Sequence, residues 1–194
     1  MSQKETVLLT LWISLVGMVF VERWYGRTWL HQDGTIGVWA EYKSTHLNKY
    51  MFDPYSFSHS EHGMLFYMLC YWISTKFGDR SFHVWIAFRN AVWMEMLWEI
   101  LENSPFMISR YRHTTAAAEY DGDSIFNSIC DLLCCATGFY IAHKYRTRVP
   151  CNVENDSLSM WRCDLYTLVL VIECVMLACV GDNLICSAMS ALFQ

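Results

Sequence analysis

The stretch FHVWIAFRNAVWMEMLWEIL, Phe82–Leu101, decides the fold. It has the length and apolar character of a bilayer-crossing helix, which needs about 20 residues. Yet Arg89, Glu95 and Glu99 sit inside it. A charge at the centre of a transmembrane helix costs roughly 2.5–3.5 kcal/mol on insertion scales. Such a helix belongs inside a bundle, with Glu95 and Glu99 turned toward other polar groups.

Four further apolar segments surround it: 6–21, 63–77, 124–143 and 165–181. Gly, Pro or charged clusters separate them. Several are shorter than a straight crossing needs, and interfacial aromatics are expected to extend them. The fold predicted is all-α: one membrane domain over residues 1–194, a polytopic bundle of about five transmembrane helices. The loop 22–61, interrupted by Gly26, Gly34, Gly37 and Pro54, is expected to be irregular and to lie on the membrane surface. The polar loop 144–164 is expected in solvent. The first helix reads as retained, because a single lysine precedes it and no small-residue cleavage site follows. No Arg- and Ser-rich mitochondrial presequence precedes it either.

Composition points the same way. Apolar residues make up 54% and charged residues 17%, against a usual charged share of about 25%. Nine Trp and eleven Tyr suit membrane–water interfaces, where an apolar ring with a polar tip is at home. A net charge of −5 argues against a nucleic-acid partner, which calls for a basic surface. Most of the nine cysteines lie in apolar stretches and read as small hydrophobes. The absence of CxxC speaks against a zinc ribbon or a thioredoxin-type motif. Cys151 and Cys163 are the two that could pair across a loop.

If the five segments alternate in direction, the unusual polar residues fall on one membrane face. Helix 1 ends in Glu22 and Arg23. Helix 2 is entered through Ser58, His59, Glu61 and His62. The third segment ends with Glu95, Glu99, Glu102 and Asn103, and the next loop carries Arg110, Arg112 and His113. The fourth begins with Asp121, Asp123, Asn127 and Asp131, and the fifth ends at Asp182 and Asn183. Glu95, Glu99 and Glu102 are spaced as one helical stripe, as are Asp123, Asn127 and Asp131, and His59 and His62 are three apart. Three stripes could line one cavity near the membrane surface.

Imidazole beside carboxylate suits general acid–base work or a divalent metal. No metal is assigned, because His59 is expected in the turn before helix 2 and the paired ExxH pattern of di-iron bundles is absent. Arg110 and Arg112 could hold a phosphate through paired donors, and a phospholipid head group is the phosphate available at that depth. The opposing reading is a network of polar pairs that fixes helix packing.

The motifs SHSEHGMLFY (Ser58–Tyr67), WEILENSPFMISRYRHTT (Trp98–Thr115) and YDGDSIFNSICD (Tyr120–Asp131) resemble those of an uncharacterised, mainly alphaproteobacterial membrane-protein family of unknown function. GRTW (Gly26–Trp29), DPYSFSH (Asp53–His59) and GDNL (Gly181–Leu184) also fit. After GRTW the chain departs from the family, with Leu30–Asp33 where a cysteine pair is usual. More distantly the pattern is similar to VanZ-like membrane proteins. That resemblance implies a lipid head group or lipid-linked sugar as substrate, with His59, His62, Glu95, Glu99, Asp123 and Asn127 lining the site.

Two functions follow as expectations. The first is a non-catalytic accessory subunit of a larger inner-membrane protein complex, for which a mitochondrial respiratory or ATP-synthase complex is one candidate. Its polar pocket would bind a phospholipid such as cardiolipin, and its partners would be lipids and other membrane subunits. The second is a membrane-embedded enzyme acting on lipid head groups, with His62 as acid or base, Glu99 orienting it, and Arg110 and Arg112 holding phosphate. The location expected is the mitochondrial or a bacterial inner membrane.

Overall fold

A computed structural model describes residues 1–31, 34–77, 82–114, 120–148 and 157–179. Among these residues the chain is helical apart from loops and one isolated bridge between Trp39 and Phe52. The helices are α1 (Gln3–Trp24), α2 (Ser56–Phe77), α3 (Val84–Glu102), α4 (Pro105–Thr114), α5 (Ile125–Arg148) and α6 (Ser157–Cys179). Five are long and correspond to the five apolar segments.

Three boundaries differ from the sequence expectation. α2 starts at Ser56 rather than at residue 63, so His59 and His62 are helical. α4 occupies what was expected to be a loop. α6 starts at Ser157, within the expected polar loop. The GDNL motif, with Asp182 and Asn183, lies outside the described residues, as do Cys151 and Cys186 and the side chain of Cys163. Cys70, Cys130, Cys134, Cys135 and Cys174 are free thiols.

Local chemistry explains the helix starts. Ser2 and Glu5 form a capping box at α1, in which each satisfies an N–H the helix leaves open. Ser104 Oγ accepts from Met107 N at 3.2 Å, ahead of Pro105 at the first position of α4, where a missing N–H is harmless. Ser124 Oγ accepts from Asn127 N at 3.1 Å at the head of α5. Before α2, the Asp53 carboxylate accepts from Tyr55 N at 2.8 Å, while Ser56 Oγ accepts from Asp53 N at 3.1 Å.

Contacts set the helix directions. Lys4 lies over the Trp85 ring and Trp93 Nε1 donates to Ser14 Oγ, so α1 and α3 run the same way. Ser56 meets Asp131 and Tyr71 meets Arg146, so α2 runs with α5. Cys70 meets Ala87 near the far end of α2, so α2 opposes α3. The C-terminal ends of α1 and α3 therefore share one end of the bundle with the N-terminal ends of α2 and α5.

The core lies between α2, α3 and α5. Met64, Tyr67, Met68, Tyr71, Ala87, Ala91, Phe139 and Ala142 pack there with Leu165 of α6. On the other side, Val7, Leu11 and Met18 of α1 pack on Val92 and Met96 of α3 and Leu132 of α5. α2 and α5 come closest through small residues. A Cβ on Gly63 would lie 1.9 Å from Cys135 O, and one on Gly138 would lie 1.9 Å from Ser60 O. Small residues of this kind let helix backbones approach closely.

The outer surface is apolar. On α1, Leu9, Trp12, Ile13, Val16 and Phe20 are exposed along one stripe, and Trp72 and Ile73 of α2, Leu133 and Ile141 of α5 and Leu170 and Val175 of α6 are also exposed. Gln3–Trp24 and Ile125–Thr147 are long and apolar enough to cross a membrane, and Leu165–Ala178 is a shorter apolar helix.

Candidate functional site

The site is built at the end of the bundle where α1 and α3 finish and α2 and α5 begin. His59 and His62 are one turn apart on α2 and face Glu95 of α3. His59 Nδ1 lies 2.6 Å from Glu95 Oε1, and His62 Nδ1 lies 2.9 Å from Glu95 Oε2. One carboxylate thus engages two imidazoles. Glu95 is fully buried and both histidines are nearly so. In the neutral ring of His62, an acceptor carboxylate on Nδ1 places the proton there and leaves Nε2 as the basic nitrogen.

The other side of His59 faces α5. Its Nε2 is 3.9 Å from Asp131 Oδ2, and Asp131 Oδ1 accepts from Ser56 Oγ at 3.2 Å. Glu99, one turn beyond Glu95, has Oε1 at 3.3 Å from His59 Nδ1. That nitrogen's single hydrogen is directed to the nearer Glu95, and neither oxygen of Glu99 makes a hydrogen bond. The charged groups bearing most strongly on Glu99 are His59 and the carboxylates of Asp131, Asp123 and Glu102. His62 is fixed by its neighbours, stacking on Phe66 and meeting the Trp98 ring edge-on.

A second network joins α3 to the approach of α5. Asn103 Nδ2 donates to Asp123 Oδ2 at 2.8 Å and to Ser128 Oγ at 3.3 Å, while its Oδ1 accepts from Asp123 N at 2.6 Å. Tyr120 OH donates to the Asp123 carboxylate. The loop between α1 and α2 closes over this region. Asn48 O, Thr28 O and Trp29 O accept from the N–H groups of Ser124, Ile125 and Phe126, and Tyr50 O accepts from Asn127 Nδ2 at 3.0 Å. Lys49 pairs with Asp121 at 2.7 Å at the rim.

Asp53 sits in the same loop. Burial pushes its carboxyl up from 3.8 to about 6, the N–H groups of Asn48 and Tyr55 pull it back, and the charge of Asp123 pushes it up again.

His59, His62, Glu95, Glu99 and Asp131 therefore meet in one cluster, and Asp123 and Asn127 stand in the adjoining network. Two expectations change. The carboxylate that orients His62 is Glu95, not Glu99. Arg112 is exposed on α4 and its guanidinium donates to Tyr120 O, bracing the turn before α5 instead of entering the cluster. Arg110 is half-buried on the same helix. Sequence reasoning missed Ser56, Asp53 and Tyr120 as parts of the site. An Asp–Pro pair three residues before Ser56 was the available signal, because Asp and Pro together favour a helix start.

Among the described residues the chain is an all-helical bundle with a buried histidine–carboxylate cluster at one end and many exposed large apolar side chains. It belongs to the family described as "Protein of unknown function (DUF2585)", whose model matches residues 23–192. It is 37% identical over 124 residues to a UPF0314 protein of Brucella anthropi, covering 64% of this chain and 61% of that one. It is 40% identical over 114 residues to a UPF0314 protein of Sphingopyxis alaskensis, covering 58% of each. A third, from Paracoccus denitrificans, is 34% identical over 141 residues, covering 71% of this chain and 70% of that one. The chain thus spans about three fifths of the length of the first two relatives. No solved structure matches.

Proposed function

We propose that the protein is an integral membrane bundle of five spanning helices whose histidine–carboxylate cluster acts on the polar head group of a phospholipid or lipid-linked substrate by acid–base chemistry. The observation that carries this is the pair of imidazoles on the buried Glu95. Burying ionisable groups is expensive, and a merely structural pair is often no more stabilising than well-packed apolar residues.

Membrane insertion is supported by helix length and by the exterior. The five long helices have 19 to 24 residues, or about 29–36 Å at 1.5 Å per residue, against a hydrocarbon core of about 30 Å. α2 and α3 carry the cluster's histidines and carboxylates at buried positions. The cluster lies about 5–10 Å in from one end of these helices by the same rise, near head-group level.

In this reading Glu95 holds His62 with Nε2 bare, and that nitrogen takes or gives the proton at the head group. His59 differs, because Glu95 takes its Nδ1 and Asp131, held by Ser56, faces its Nε2 at 3.9 Å. The order of polar helices shared with VanZ-like proteins is an analogy in the same direction. The bacterial relatives support a bacterial membrane as its location.

The accessory-subunit reading draws on the exposed aromatic stripe of α1, which a neighbouring subunit could cover as well as lipid. One experiment addresses both. The chain is purified from its native membrane in mild detergent, and co-purifying lipids and proteins are identified by mass spectrometry. A bound lipid class that disappears in His62→Ala supports the head-group reading. Stoichiometric partner proteins with an unchanged lipid profile overturn it in favour of the subunit.

A further inference from the structure

The cluster has an imbalance that hydrogen bonds among its own members do not resolve. Glu95, Glu99, Asp131 and Asp123 are buried, Glu102 is half-buried beside them, and the basic groups among them are the two imidazoles. Glu95 uses both Nδ1 hydrogens. Glu99 is fully buried with both oxygens unbonded, and its Oε1 faces His59 Nδ1 at 3.3 Å. A buried carboxylate without a partner costs the full desolvation of its charge.

The donor atoms also converge. One atom each from His59, His62 and Glu95 lie within 4.8 Å of one another, and so do atoms of His59, Glu99 and Glu102. The two groups share His59, and imidazoles with carboxylate oxygens gathered about it are the ligand set of first-row divalent ions, including catalytic zinc and non-haem iron. The surroundings fit the same purpose. Asp131 stands 3.9 Å from the far nitrogen of His59, and Ser56 holds Asp131. A carboxylate on the outer nitrogen is the usual way a metal-bound histidine is oriented. Phe66 and Trp98 fix the ring of His62.

The start of α2 at Ser56 removes the objection that His59 lies in a turn. His59 and His62 are on one face of one helix, and Glu95 and Glu99 are on one face of another.

We infer that His59, His62, Glu95 and Glu99 bind one first-row divalent transition-metal ion. The inference stands on the donor set and does not need the head-group reading. An ion held there supplies the positive charge the cluster lacks, and its binding displaces the two Nδ1 protons, so uptake is accompanied by proton release. It would also replace His62 as the group that polarises a head group.

The test uses the full chain in detergent, stripped with a chelator and titrated with Zn²⁺ alone, then with Mn²⁺ and, under anaerobic conditions, Fe²⁺. The expected result is saturable uptake of one ion per chain, release of protons during titration, and a rise in the unfolding temperature, because a ligand of the folded state stabilises it. Co²⁺ in place of Zn²⁺ should give absorption bands of a nitrogen- and oxygen-ligated site. Glu99→Gln, which leaves the two histidine bonds to Glu95 intact and so preserves folding, should weaken binding at least tenfold. The double variant His59→Gln, His62→Gln should abolish it. No saturable uptake by the wild type overturns the inference. Uptake undiminished in folded Glu99→Gln marks an adventitious ion only and also overturns it. Vesicles with anionic phospholipid are tested on the same preparation: lipid bound without an ion overturns the metal site and leaves the head-group reading. An ion bound without lipid supports the metal site and counts against the head-group reading.

Discussion

Gly63 of α2 rests directly on the backbone carbonyl of Cys135 in α5, and a methyl group there would lie 1.9 Å from that oxygen. The obstacle is backbone, so neither helix can yield by turning a side chain. Gly63→Ala is therefore expected to cost about 3 kcal/mol, the upper end of ordinary overpacking. Gly138→Ala, which meets Ser60 O in the same way, should behave alike. Thermal unfolding in detergent checks both. An unfolding temperature equal to that of the wild type would mean that the helices are farther apart than described.

Asn103 joins the end of α3 to the approach of α5 through three hydrogen bonds from one amide. Asn103→Ala leaves the buried N–H and carboxylate of Asp123 without that partner, at a cost of about 1–3 kcal/mol. Asn103→Asp should be worse than Asn103→Ala, since it sets a second carboxylate against Asp123. The order of the two unfolding temperatures is the measurement.

Asp53 gives a pH dependence whose sign can be worked out. Its folded pKa is raised from 3.8 to about 6, chiefly by burial. A raised acid stabilises the fold fully below its unfolded pKa and loses that contribution as pH climbs through the folded one. The wild type should therefore lose stability relative to Asp53→Asn between about pH 4 and 6, by up to roughly 3 kcal/mol. The amide keeps an acceptor for one of the two N–H groups and loses the other, which gives a constant offset, so the slope is what is read. Parallel stability–pH curves for the two proteins would show that Asp53 does not titrate in that window.

The exposed stripe of α1 tests the membrane itself. Ile13 is 62% exposed near the middle of the helix, so Ile13→Asp removes little packing. In a bilayer it should cost roughly 2.5–3.5 kcal/mol of insertion and lower the carbonate-resistant membrane fraction. Unchanged fractionation would place that face in water or against another protein.

Much of this site was readable from spacing. Helical period alone puts Glu95 beside Glu99 and Asp123 beside Asn127 and Asp131, and alternating directions bring those stripes to one end. The start of α2 was not readable in the same way. Pro54 interrupts as well as initiates helices, and only the reciprocal bonding of Asp53 and Ser56 decides which role it plays. α4 was missed because PFMISRYRHT has no long apolar run; the Ser104–Pro105 cap was its visible signal. The place of Arg112 depends on the turn before α5, which no local pattern in the chain specifies. The choice of Glu95 over Glu99 as the partner of His62 turns on a difference of one helical turn in how α2 and α3 are set against each other.

The carbonyls of Thr28, Trp29 and Asn48 complete the beginning of a helix that the ribosome makes much later. Until α5 emerges and docks, the loop bearing them lacks the N–H groups of Ser124, Ile125 and Phe126 as partners. In the finished bundle these bonds, with that from Asn127 to Tyr50 O, tie the loop to the head of α5. Assembly order thus shapes this end of the molecule: the loop gains its hydrogen-bond partners only once the head of α5 is in place.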